Sequence, residues 1–177
     1  MAESELLICS QSPRRHEILK TFGIPFSVIP NKLKSEPSPR KNEHPIDYAS
    51  RVASAKLLAS SQNRVGPILA VDTVVSIDGY ILGKPSTKEA AFKMLQQLNG
   101  NKHMVTSCAV LNTQNKASIQ FCIDYATVYF SDVSESILRN YINQYNPLDK
   151  AGGYGIQDQP PFFKNIDGDF YTVMGLP

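Results

Sequence analysis

Asp72 is the residue whose type and position point most directly to chemistry. It interrupts an apolar run from Ile68 to Ile77, and a buried carboxylate is unfavourable unless it meets a cation, a metal or several hydrogen-bond donors. Strand alternation puts Asp72 on one face with Val74 and Ser76, and we expect it near a strand end that opens on a cleft. A carboxylate that caps a turn or pairs with a core arginine is the structural alternative.

Two arginines lie where a helix is expected to begin. Arg14 and Arg15 follow Ser12 and Pro13, a typical N-cap and first helical residue. They therefore fall in the first turn, where the positive end of the helix dipole disfavours cations. Free backbone N–H groups, the hydroxyls of Ser10 and Ser12 and the two guanidiniums would together suit a phosphate chain. Two solvated arginines on an exposed helix start are the alternative.

Three further side chains can contribute to such a site. Lys84 follows a predicted hairpin and can return positive charge to the region of Asp72, although a solvated loop lysine is the simpler interpretation. Lys56 lies on a predicted helix and either reaches over the core or extends to water. Gln157 ends a glycine-rich run that allows a close backbone approach to a ligand, and its amide can read the edge of a base.

The elements expected to position these residues alternate between strands and helices. Apolar periodicity, caps and turn signals predict a strand over 6–9, a helix from 13, a long loop over 31–45, a helix over 46–60, a buried strand over 68–77 that turns back at Asp78-Gly79, a helix over 86–100, strands over 104–111 and 119–130, and a helix after Ser134. This order predicts a mixed α/β protein with a single domain over residues 1–177.

Composition excludes several classes of partner. Of the 177 residues, 42% are hydrophobic and 19% charged, and no apolar run is long enough to span a bilayer. The acidic N-terminus lacks the features of a secretory signal, so we expect a cytoplasmic protein with no membrane partner. The net charge of +2 disfavours a stable nucleic-acid partner. The scattered cysteines and histidines predict reduced, mostly packed thiols and no His/Cys metal site.

Five segments, in this order, resemble the Maf family of nucleoside triphosphate pyrophosphatases. They are LLICSQSPRR at 6–15, AVDTVV at 70–75, GKP at 83–85, PLDKAGGYGIQ at 147–157 and GLP at 175–177. The resemblance implies an α/β fold with a mixed sheet and flanking helices, in two lobes around a central cleft, like the inosine triphosphate pyrophosphatases. The fourth segment is similar to the branch that acts on dTTP and UTP, and the sister branch acts on 7-methyl-GTP.

By matched position, the resemblance implies that Asp72 is the catalytic proton acceptor. Substrate-binding positions divide into those that influence substrate choice, Arg14, Thr73 and Gln157, and those that line the phosphate site, Ser10, Arg15, Lys56 and Lys84. A divalent cation, Mg²⁺ or Mn²⁺, is the implied cofactor. Cations would hold the triphosphate while one carboxylate activates water.

Two departures from the family pattern affect the metal and the chain end. Residues 32–35 read Lys-Leu-Lys-Ser where an acidic cluster is usual, and Glu36 lies one place beyond the expected carboxylate. Either a slip in the loop brings Glu36 to the site, so that the metal binds Asp72 and Glu36, or the metal relies on Asp72 and the substrate phosphates. Similar proteins continue past the position of Pro177 into a helix, so a cut chain and a natural short form both agree with the sequence.

The expected activity is hydrolysis of dTTP and UTP to the monophosphate and pyrophosphate. One alternative is the same chemistry on CTP or 7-methyl-GTP. Another is a nucleotide-binding regulator of cell division whose catalysis has decayed. The sequence also leaves the oligomeric state open, including a homodimer.

Overall fold

A computed structural model describes residues 5–61, 66–113 and 119–177. Most of the acidic N-terminus used to predict the cellular location lies outside these ranges. Within them the strands are β1 Leu6–Ile8, β2 Phe26–Val28, β3 Ile68–Ile77, β4 Tyr80–Leu82, β5 Lys102–Asn112, β6 Ile119–Phe130 and β7 Phe163–Asp167. The helices are α1 Pro13–Thr21, α2 Pro45–Ser60, α3 Lys88–Leu98, α4 Glu135–Tyr145 and α5 Phe170–Met174, and three 3₁₀ turns cover Pro147–Asp149, Ala151–Gly153 and Ile156–Asp158.

These strands form one mixed sheet in the order β2-β1-β3-β5-β6-β7, with β4 paired to β3. β1 is parallel to β2 and to β3, whereas β4 on β3 and β7 on β6 are antiparallel. The α/β class with a mixed sheet and helices is therefore confirmed. The helices and strands predicted from periodicity are present, with bounds that differ by a few residues.

The β3–β4 hairpin follows from its two turn residues. Asp78 and Gly79 both have positive φ, 50° and 79°, which is the backbone that a two-residue turn between antiparallel strands requires. Asp72 is the fifth of the ten residues of β3 and is 7% exposed. The expectation that it lies near a strand end is wrong, because the strand continues for five residues to reach this turn.

The described residues divide into two compact units. The first comprises 1–72, 107–124 and 175–177, and the second comprises 73–106 and 125–174. The boundary falls inside β3, between Asp72 and Thr73. The single domain over 1–177 and the arrangement of two lobes around a cleft stay predictions.

All three cysteines lie within the described residues. Cys9, Cys108 and Cys122 are all free, and the first two are buried whereas Cys122 is exposed. Among the described helices, none is long and apolar enough to cross a membrane.

Candidate active site

The centre of the first unit is a lysine held between two carboxylates. Lys56 Nζ lies 2.6 Å from Asp72 Oδ1 and 2.7 Å from Glu36 Oε1. Lys56 is 6% exposed, so its ammonium does not extend to water. A buried charge of this kind is tolerated only where it is paired, and here two carboxylates pair it.

Several neighbours shift the pKa of the Asp72 carboxyl in opposite directions. Its burial raises the pKa of the carboxyl above the ordinary value, while the contact with Lys56 and the charge of Arg15 oppose that shift. Glu36, a second negative charge nearby, adds to the rise. A carboxylate with a raised pKa accepts a proton more readily than an ordinary aspartate, which is the property that a general base needs.

Arg15 is built into the same unit. Its Nε donates to the carbonyl of Gly175 at 2.7 Å, and its Nη1 donates to Ser10 Oγ at 2.9 Å. Burial lowers the pKa of Arg15 to about 10, and the charge of Asp72 opposes the fall. The guanidinium therefore stays charged at neutral pH. The sequence did not reveal that it also binds the segment at Gly175.

Ser12 occupies the expected N-cap position of α1 but makes no side-chain capping bond. Ser12 has extended backbone at the N-cap with Pro13 after it, yet its hydroxyl makes no capping bond. Its backbone N–H donates instead to Ser10 Oγ at 3.3 Å. Ser10 Oγ thus connects the turn before α1 to the guanidinium of Arg15. Arg14 follows Pro13 in the first turn of the helix, as predicted.

The loop that carries Glu36 is tied to α2. Arg51 on this helix donates through two nitrogens to the Glu43 carboxylate, at 2.7 and 2.6 Å, and to the Ser38 carbonyl at 3.0 Å. Farther back, the backbone N–H of Lys32 donates to Ser60 Oγ at 3.2 Å. These bonds anchor the loop on both sides of Glu36, whose carboxylate contacts Lys56. That Glu36 binds a metal stays a prediction.

The remaining predicted residues belong to the second unit. Thr73 follows Asp72 on β3, and Lys84 is exposed after β4. Gln157 lies in the last 3₁₀ turn, where its Nε2 donates to Asp158 Oδ1 at 3.2 Å. Its Oε1 is buried and has no hydrogen-bond partner among the residues that the structure describes.

A model of one protein family, described as Maf-like protein, matches residues 5–177. The chain belongs to the Maf family. It is 40% identical over 177 residues to a dTTP/UTP pyrophosphatase of Bacillus velezensis, a match that covers 97% of this chain and 90% of the relative. It is 39% identical to a dTTP/UTP pyrophosphatase of Thermococcus onnurineus, with 97% and 91% covered. The solved structure of the Staphylococcus aureus Ham1 protein matches with a TM-score of 0.48 at 13% identity, over 72% of each chain.

The oxygen donors of this Maf family chain suit a magnesium ion that is bound by few protein ligands. Across the described ranges no three His, Cys, Asp or Glu residues form a group that could hold a metal. Asp72 and Glu36 nevertheless share one cation, Lys56. Two carboxylates are the set that Mg²⁺ often takes from a protein when substrate phosphates and water supply the other oxygens. The residues present therefore fit the ion through Asp72 and Glu36.

Sequence reasoning missed Tyr48 as a neighbour of the charged centre. Burial raises the pKa of its phenol, and the charges of Asp72 and Glu36 add to the rise. The signal that was available is that Tyr48 precedes Lys56 by about two turns on the same helix.

Proposed function

We propose that this Maf family protein hydrolyses dTTP and UTP to the monophosphate and pyrophosphate, with Asp72 as the general base. The observation that carries the proposal is the buried ammonium of Lys56 between the carboxylates of Asp72 and Glu36. Such a centre offers a proton acceptor beside a cation, which is what attack of water on a phosphate chain needs. The relatives named dTTP/UTP pyrophosphatase support the substrate.

In the proposed reaction, a water molecule attacks the α-phosphorus of the triphosphate. Its proton passes to Asp72, the bond between the α-phosphorus and the bridging oxygen breaks, and pyrophosphate leaves with that oxygen. The pKa of Asp72, raised by burial, favours the proton transfer. Mg²⁺ or Mn²⁺ bound by Asp72 and Glu36 would supply charge neutralisation on the phosphates.

The cations of the site are assigned to the phosphate chain. We assign Arg15 and Ser10, which are hydrogen-bonded to each other at 2.9 Å, and Lys56 and Lys84 to phosphate binding. A guanidinium presents donors in a fixed fork that suits phosphate oxygens. Lys56 would exchange part of its contact with the carboxylates for a substrate oxygen, because one ammonium has three donors.

Base choice is assigned to Arg14, Thr73 and Gln157. Gln157 suits recognition of the imide edge of uracil or thymine, because its Oε1 is a buried acceptor without a hydrogen-bond partner in the described residues. The N3–H of uracil or thymine is a donor that such an oxygen would accept.

Product analysis in ¹⁸O-labelled water tests the reaction. The purified protein is incubated with UTP, dTTP, CTP or 7-methyl-GTP and Mg²⁺ or Mn²⁺, and the products are separated. We expect UMP and dTMP that carry the label, with unlabelled pyrophosphate. Release of single phosphate with a diphosphate left behind would contradict the proposal. A preference for CTP or 7-methyl-GTP would favour the alternative specificity, and binding without turnover would favour the decayed regulator. The cytoplasmic location and a homodimer stay predictions.

A further inference from the structure

The side-chain amide of Gln157 is held by one atom and open at the other. Its Nε2 donates to Asp158 Oδ1 at 3.2 Å, while Oε1 is buried without a hydrogen-bond partner in the described part of the chain. A carboxylate only accepts hydrogen bonds, so the NH₂ end of the amide must face Asp158. The chemistry of the pair therefore fixes which end is open, and that end is the acceptor.

A buried tyrosine fixes Asp158 in turn. The hydroxyl of Tyr141 donates to Asp158 Oδ2 at 2.9 Å and accepts from the backbone N–H of Gly155 at 2.9 Å. Tyr141 is 2% exposed, and burial raises the pKa of its phenol well above the usual value. It stays a neutral hydroxyl whose donor and acceptor functions are both used. Asp158 therefore receives one donor at each oxygen.

Close packing at Gly155 keeps this arrangement compact. A Cβ added to Gly155 would lie 2.6 Å from Gln157 Nε2 and 2.8 Å from Asp158 Oδ2. With a Cβ at this position the ends of the Gln157 and Asp158 side chains would have to shift, so glycine is the residue that leaves both in their present positions. The amide, the carboxylate and the phenol thus form one interlocked cluster, which we call the Gln157 cluster: Gln157, Asp158, Tyr141 and Gly155.

We propose that Asp158 and Tyr141 are positioning residues that set base preference, because they hold the Gln157 carbonyl oxygen as an acceptor for the N3–H of uracil or thymine. Cytosine presents an unprotonated N3 at the same place, so two acceptors would face each other. A buried acceptor left against a lone pair is costly, and this cost discriminates between the bases. The inference rests on the proposed function, whose site supplies the base.

Asp158→Asn is expected to rotate the Gln157 amide and so to weaken the preference for UTP over CTP. The Tyr141 hydroxyl needs an acceptor, so the Asn carbonyl takes the place of Oδ2 and the Asn NH₂ faces Gln157. The Gln157 amide must then rotate to present Oε1 to that NH₂, which leaves Nε2 pointing to the base. We expect the ratio of kcat/KM for UTP to that for CTP to fall by about tenfold or more, the discrimination worth one hydrogen bond.

Four variants make the comparison. Asp158→Asn and Tyr141→Phe test the cluster, and Tyr141→Phe should lower the UTP to CTP ratio less, by about threefold, because Asp158 still accepts from Gln157. Asp167→Asn, an exposed carboxylate on β7, is the matched charge control. Tyr145→Phe is the matched hydroxyl control, since its ring lies beside that of Tyr141 on the same helix. Both controls should keep the wild-type ratio.

Dissociation constants for the α,β-methylene analogues of UTP and CTP are measured alongside turnover. If the cluster had only a structural role, its variants would change kcat/KM and the dissociation constants alike for both nucleotides. The ratio between UTP and CTP is therefore the deciding measurement. The inference is overturned if folded Asp158→Asn keeps the wild-type ratio within twofold. If Asp158→Asn does not fold, an unchanged ratio in Tyr141→Phe overturns it equally. A wild type that binds the analogues without turnover contradicts the proposed function alone, because the binding ratios still test the cluster.

Discussion

Asp72→Asn separates the catalytic role of this carboxylate from its role in holding a buried charge. The amide keeps the shape of the side chain and removes both the base and the negative charge. Loss of a general base lowers a rate by about 10²–10⁴-fold, and we expect pyrophosphate release from UTP to fall by at least that much. Binding should persist through the cations of Arg14, Arg15 and Lys84.

The stability cost follows from the contacts of Lys56. Removing one partner of a buried ion pair costs about 3–5 kcal/mol when the other charge is left uncompensated. Here Glu36 Oε1 remains 2.7 Å from Lys56 Nζ, and the new amide oxygen can still accept from the ammonium. We therefore expect a smaller loss, about 1–3 kcal/mol, and a lower melting temperature by about 2–4 °C for each kcal/mol.

A second variant distinguishes the two effects. In Asp72→Asn combined with Lys56→Gln, no ammonium is left with a missing partner, so the melting temperature should recover towards that of the wild type. Turnover should not recover. Asp78→Asn, an exposed position in the β3–β4 turn with positive φ that asparagine tolerates, is the control. A folded Asp72→Asn protein with turnover within threefold of the wild type would refute the assignment of Asp72 as the base.

Three further expectations concern binding and stability. Arg14→Ala should weaken triphosphate binding with little change in melting temperature. Arg15→Ala should also destabilise the fold by about 1–3 kcal/mol, because its guanidinium donates two partly buried hydrogen bonds. Equal melting temperatures of the two variants would contradict this. Burial lowers the pKa of His103 to about 4, so the stability associated with its neutral form is fully present above pH ~6.5 and is lost as pH falls towards 4. In His103→Gln, the melting temperature should therefore fall less steeply with pH over that window. Gly152→Ala should lower the free energy of unfolding by about 2 kcal/mol or more, because φ is +70° and an added Cβ would lie 3.0 Å from a valine methyl. Gly23→Ala, at φ +65° with open space around it, should lower it less in the same melting assay.

Much of the fold could be predicted from local patterns. The β3–β4 turn is determined by Asp78-Gly79, since positive φ at both positions is favourable mainly for such residues. α3 begins at Lys88, two residues after the predicted start at 86, because Thr87 rather than Ser86 accepts the capping bond from the backbone N–H of Ala90. Neighbouring Ser and Thr residues are near-equivalent caps, so the sequence could not choose between them.

The candidate site shows where sequence reasoning stops. The unusual position of Asp72 within an apolar run is visible in the sequence, because burial of a lone carboxylate is unfavourable in any fold. The contacts that Asp72 makes are not visible there: Glu36 and Lys56 are separated from it by 36 and 16 positions, and Glu36 reaches Lys56 from a loop that Arg51 ties to α2.

Local patterns therefore establish the chemistry of each residue and the helices and strands, because both depend on neighbours within a few positions. The tertiary structure decided that Lys56 pairs with two carboxylates and that Arg15 binds the segment at Gly175. It also decided that Gln157 presents its oxygen rather than its nitrogen. Such choices depend on which donors and acceptors remain unpaired after the whole chain has packed, and long-range packing is not encoded in local spacing.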